Sequence, residues 1–203
     1  MKLRKLLLAI VGATALLGML VSSASARSFS TSNQFLESRF RRVTFEGPFG
    51  DIVCEIHLSG SLHRRTLAKR VGSLIGYITQ AELQRVGDPD GCEAGLATIL
   101  RETLPWHVRY LGFTGILPNI TGIIVNVIRA AYQTRQLPLC LGLSGEAMPV
   151  VVIFSRDLAS RTLTTGTIGG TIPTTCGTNG TFRSDAAQVF LLNSTTRITV
   201  TLI

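Results

Sequence analysis

Asp51-Ile-Val-Cys-Glu-Ile-His-Leu58 alternates along its length: Ile52, Cys54, Ile56 and Leu58 fall on one face, Asp51, Glu55 and His57 on the other. An apolar residue at every second position is the pattern of a strand with one buried face, and it turns Cys54 inward. The same pattern recurs outward from this stretch. In 106–114, Trp106, Val108 and Tyr110 share a face with His107 and Arg109 opposite. Residues 120–132 are rich in β-branched side chains and read as one long strand. Residues 96–100, 150–154 and 163–175 read as further strands. Residues 182–192 and 197–203, joined by a turn at Asn193-Ser194-Thr195, read as a closing hairpin. Residues 67–78 also fit helical spacing, but Gly72 and Gly76 each weaken a helix by about 1 kcal/mol relative to Ala. That segment therefore reads as a short turn or helix followed by a strand from Ser73 to Leu83. About ten short strands separated by Gly, Pro and Asn predict an all-β fold: a single-domain antiparallel sandwich or barrel over 43–203. The regular helices of a parallel α/β fold are missing.

The amino terminus has a different composition. Lys2, Arg4 and Lys5 precede an uncharged apolar run from Leu6 to Val21, and Ala24-Ser25-Ala26 is an A-x-A cleavage site. That order predicts a signal peptide over 1–26. The run is shorter than the ~20 residues a spanning helix needs. The best later span candidate, 116–132, is interrupted by Pro118, Asn119, Gly122, Asn126 and Arg129. The exported form is therefore expected not to span a membrane and to act outside the cell or on the outer face of its envelope. Residues 27–42, polar and Ser-rich at their start, read as a loose lead-in.

All four cysteines, Cys54, Cys92, Cys140 and Cys176, follow the cleavage site, and an even count in an exported chain reads as two disulfides. Three pairings exist. Loop-closure entropy favours the neighbours, Cys54–Cys92 and Cys140–Cys176. The cysteines lie too far apart for a zinc motif.

The formal charge is +8, with three of the positive charges in the leader. Two basic groups stand out: Arg39, Arg41 and Arg42, and Arg64, Arg65, Lys69 and Arg70. The second reads as a binding surface for an anionic ligand, such as acidic cell-surface polymer or anionic lipid headgroups. The bland alternative is a solvated edge that discourages strand-to-strand aggregation. Nucleic acid is not an expected partner, given the compartment and the lack of a stacking-aromatic motif.

Nothing points to a cofactor, a metal or a catalytic residue. There is no G-x-S-x-G elbow, and Gly169-Gly170 lacks the Lys-Ser/Thr pair and helix of a phosphate loop. His57, His63 and His107 are the only histidines. If the strands bearing Glu55/His57 and His107/Arg109 pair, a Glu–His–His–Arg cluster forms on an open sheet face; otherwise these are solvent-facing residues of two-sided strands. Trp106 and Tyr110 read as core rather than as the floor of a carbohydrate or lipid site.

Leu104-Pro-Trp-His-Val-Arg-Tyr110, Phe113-Thr-Gly115 and Leu117-Pro-Asn-Ile120, with Gly50-Asp-Ile-Val-Cys-Glu55 and Gly76-Tyr-Ile-Thr79, carry a resemblance across most of the exported part. The chain resembles a group of exported proteins from G+C-rich Gram-positive, actinobacterial-type bacteria, to which no activity attaches. The resemblance implies a bacterial envelope or extracellular setting. Three readings follow: a non-enzymatic binding or envelope-associated domain, favoured because no catalytic motif is present; a small secreted hydrolase using His57 and His107; and a barrel holding an apolar ligand.

Overall fold

A computed structural model describes residues 28–47, 50–84, 92–93, 95–116, 119–135, 139–177, 180–184 and 187–202. The leader and its cleavage site lie outside the described residues. The strands are β1 (Ser28–Thr31), β2 (Phe35–Gly47), β3 (Gly50–Leu62), β4 (Thr66–Ala68), β5 (Leu74–Gln84), β6 (Leu96–Ile99), β7 (Trp106–Ile116), β8 (Asn119–Ile128), β9 (Ala131–Arg135), β10 (Leu139–Leu143), β11 (Val150–Arg156), β12 (Leu163–Ile172), β13 (Gly180–Ser184), β14 (Ala187–Leu191) and β15 (Val200–Leu202). The only helical element among the described residues is a 3-10 turn at Arg101–Thr103.

The fold is all-β and antiparallel, and of sandwich and barrel it takes the barrel. The main ladder runs β2-β3-β5-β7-β8-β11-β12-β13, and β13 pairs back onto β2. The ring thus closes with eight positions, the last shared: β13 takes Val43–Glu46 of β2 and β14 takes Leu36–Phe40. The exchange falls at a register shift in β2 between Phe40 and Val43, where Arg41 and Arg42 stand exposed.

Alternation decides which side of each strand faces inward. Phe40, Ile56, Leu58, Trp106, Val125, Val127, Val150, Val152 and Ile168 fill the inside, while Glu37, Arg39, Glu55, His57, Glu82, His107 and Arg109 alternate with inward residues and face out. The outward positions of β2, β3, β5 and β7 are thus charged, whereas those of β8 and β11 include Ile124, Val151 and Ile153. No helix among the described residues is long and apolar enough to cross a membrane.

Two small sheets plug the ends. At one end β10-β9-β6 sets Ile99 and Tyr132 against Phe45 and Trp106, with the Phe45 and Tyr132 rings 4.8 Å apart. Both disulfides staple this end. Cys54 of β3 joins Cys92 ahead of β6, and Cys140 of β10 joins Cys176 after β12, the pairings that loop entropy favours. At the other end β15-β1-β4 buries Phe29, Leu67 and Val200, and the Phe29 ring lies 6.0 Å from Tyr110. Arg156 fastens this plug, its Nε donating to the Val200 carbonyl (3.0 Å) and its Nη1 to the Ile120 carbonyl (3.2 Å).

Four expectations need correcting. The lead-in is not loose: β1 and most of β2 lie within it, because Phe29 and Thr31, then Leu36, Ser38 and Phe40, alternate inward. Residues 120–132 are not one strand. Arg129 takes φ 72°, so β8 ends and β9 leaves the wall to build the plug. Likewise 182–192 is two strands, β13 and β14. The carboxyl-terminal run after the turn, where Asn193 has φ 57°, makes one bridge back (Phe190 to Arg197) before β15 pairs with β1. Register closes that pairing because Val200 and Leu202 match the spacing of Thr31 and Phe29.

Candidate functional site

The topology separates the two histidine pairs. β5 lies between β3 and β7, so the strands bearing Glu55/His57 and His107/Arg109 do not pair. His57 stands opposite Glu82 of β5, and His107 opposite Tyr77. Five residues along a strand and two strand spacings put the imidazoles on the order of 20 Å apart. The four-residue cluster does not form.

Its halves exist separately. His57 Nε2 is 2.7 Å from Glu55 Oε1, both side chains about a quarter exposed. Tyr77 sits between two histidines, its ring 5.0 Å from His63 and 5.3 Å from His107. Arg109 pairs with Glu146 at 2.7 Å. A carboxylate–imidazole pair can orient a base, but a hydrolase also needs a nucleophile and a pocket. Among the described residues no hydroxyl or thiol hydrogen-bonds to His57. The pair sits on the convex outside of the wall. No group of three or more His, Cys, Asp or Glu side chains among the described residues is placed to hold a metal.

The interior is filled. The space under the β6-β9-β10 plug, among Phe45, Trp106, Tyr132 and Val150, is about 30 Å³; that nearer the other end, among Phe40, Leu62, Ile78, Val108 and Phe154, is about 80 Å³. Several hundred Å³ is usual for a small-molecule site. Trp106 and Tyr110 are buried core as expected, the indole Nε1 donating to Thr103 Oγ1 at 2.8 Å. Burial raises the Tyr110 and Tyr132 phenols above the usual tyrosine value.

The basic groups fare differently. Arg39 donates to Glu37 at 2.6 Å and lies over the Phe190 ring, so it is spent on the barrel wall. Arg64, Arg65, Lys69 and Arg70 flank β4, whose only inward residue is Leu67, so the cations are left at the edges of the plug. No carboxylate among the described residues lies within ion-pair distance of any of the four.

Topology then adds residues that sequence spacing kept apart. In this up-and-down barrel 28–34, 63–73, 157–162 and 192–202 all gather at the β15-β1-β4 end. Among the described residues these segments carry Arg64, Arg65, Lys69, Arg70, Arg161 and Arg197 against one acid, Asp157. Asp157 is itself turned to the backbone: its Oδ1 accepts the Ala159 N–H (2.7 Å) and the Ser160 N–H (3.0 Å), which hold its pKa below the usual carboxylate value. At the disulfide-stapled end, acids and bases alternate: Glu93, Arg101, Glu102, Arg129 and Glu146. Charge is thus sorted along the barrel axis. Sequence reading found the 64–70 cluster but missed Arg161 and Arg197, whose segments reach the same end only through the topology; the Arg197 guanidinium lies over the Phe190 ring, as that of Arg39 does.

Comparison with protein-family models, with curated proteins and with solved structures returns no match for this chain.

Proposed function

We propose that the chain is an exported, non-enzymatic binding domain of an actinobacterial-type cell envelope, and that the cationic end of its barrel holds polyanionic ligands outside the cell. The observation that carries this is the sorting of charge: six cations against one carboxylate in the segments of one end, four of them free of any described acid. Scattered surface charge would not segregate by end, and a solvated anti-aggregation edge would not need cations from 63–73, 157–162 and 192–202 gathered at one end. Arginine's planar donor fork suits phosphate and carboxylate oxygens. Two disulfides fit a chain that matures in an oxidising compartment, as the leader-like amino terminus does.

The test is binding of the exported protein to a soluble polyphosphate. Affinity should fall steeply with salt, because exposed charges are screened beyond about 10 Å at 0.1 M ionic strength. Neutralising Arg64, Arg65 and Arg70 to Gln should weaken it at least tenfold. Replacing His57 and His107 with Ala should leave it unchanged. Loss on the histidine changes with the arginine variant unaffected would overturn the reading in favour of chemistry at His57.

A further inference from the structure

The cationic end is also studded with apolar side chains in water, one at nearly every chain reversal. Phe35 at the start of β2 is 56% exposed, Val71 in the β4–β5 turn 67%, Ile116 at the end of β7 83% and Leu158 in the β11–β12 turn 52%. These tips stand among the cations. Gly72 N–H donates to the Tyr110 carbonyl (2.8 Å), and Tyr110 N–H donates to the Ser73 carbonyl (3.0 Å), which lays the basic segment along β7. Lys69 Nζ lies 6.0 Å from the Phe113 ring centroid, three residues before Ile116. Leu158 and Arg161 share one turn.

The pattern is not a general looseness of the surface. Leu96, Leu141 and Leu143 are exposed on the opposite plug, but there Leu141 and Leu143 line a groove of about 500 Å³ with Pro173 and Thr175, at an end where acids and bases alternate. At the cationic end the apolar residues are tips, spread around the rim and interleaved with arginines. A soluble polyanion engages the cations alone and leaves Ile116 and Val71 in water. A surface that presents anions with an apolar layer just beneath them engages both sets at once.

We infer that the β15-β1-β4 end docks on an anionic lipid surface, its arginines and Lys69 on the headgroups and its apolar tips reaching the headgroup–acyl boundary. This rests on the polyanion reading above and narrows it to one ligand source. Each cation near such a surface contributes about fivefold in partitioning, and each large apolar tip that leaves water contributes about tenfold or more. Cations draw the protein in, and the tips make attachment less sensitive to salt than charge alone.

The experiment is co-sedimentation of the exported protein with vesicles of phosphatidylglycerol and phosphatidylcholine, against phosphatidylcholine alone, with soluble polyphosphate binding measured in parallel. Wild type should bind the mixed vesicles and not the neutral ones. A tip variant, Val71→Ser with Ile116→Ser and Leu158→Ser, should lose at least tenfold in vesicle binding and keep polyphosphate binding. The variant Arg64→Gln with Arg65→Gln and Arg70→Gln should lose both. All three tips are exposed, and an unchanged Trp106 emission spectrum certifies the fold. If the tip variant binds mixed vesicles as wild type does, or wild type binds polyphosphate but not vesicles, the lipid inference falls and the polyanion reading stands. If wild type binds neither, both fall.

Discussion

Opening the Cys54–Cys92 bridge tests how the plugged end is held. The bridge closes 38 residues and Cys140–Cys176 closes 36, and the two loops do not overlap. Loop-closure entropy gives each about 4 kcal/mol, and separate loops should add. Alanine is the better replacement, since Cys54 is fully buried among apolar side chains and a serine hydroxyl would add its own desolvation cost. Cys54→Ala with Cys92→Ala should therefore lose about 4 kcal/mol, and removing both bridges about 8 kcal/mol, comparable with the 5–15 kcal/mol total stability of an ordinary domain. The assay is urea unfolding followed by Trp106, the sole tryptophan, which is buried under the plug. Its emission should shift to longer wavelength as the barrel opens. If the Cys54/Cys92 variant unfolds within about 1 kcal/mol of wild type in a single transition, chain entropy is not how this bridge stabilises the fold.

Other perturbations probe the barrel wall. A Cβ built on Gly60 runs into the Tyr77 carbonyl oxygen across the β3–β5 ladder, so Gly60→Ala should cost about 2 kcal/mol in urea unfolding; a neutral change would refute that close approach. Ser184 Oγ is buried without a hydrogen-bond partner among the described residues, so Ser184→Ala should leave stability equal or raise it by about 1 kcal/mol, and a loss would reveal a partner. Tyr110 and Tyr132 have folded values raised by burial. The unfolded chain binds fewer protons than the folded one above roughly pH 10, so stability is full below that value and falls as pH rises through the folded values. Tyrosinate absorbance and urea midpoints should show these two phenols ionising together with unfolding; ionisation in the intact barrel at the ordinary value would contradict their burial.

Period-two alternation made most of the wall legible in the sequence. Ile52 to Leu58 and Trp106 to Tyr110 face as their spacing requires, since a strand with one buried face has no freedom in which side a residue takes. The misreadings have a common cause. The backbone turn at Arg129 and the exchange of β13 for β14 on β2 occur inside runs whose composition stays strand-like. β1 and β15 are short and polar on one side, and they become strands only because they pair with each other over an apolar barrel mouth. The candidate site was half legible. A local cluster such as 64–70 is visible in any sequence, whereas Arg161, Arg197, Ile116 and Leu158 join it only through chain topology. The histidine cluster failed for the same reason, because one intervening strand keeps His57 and His107 apart.

Amide chemical-shift mapping with a short polyphosphate locates the surface that holds the anion. Shifts should concentrate in 63–73, 157–162 and 192–202 and fade as salt is added, with the outer face around Glu55 and His57 silent. Shifts centred instead on the plug strands β6, β9 and β10, or on the Glu55–His57 pair, would contradict that placement.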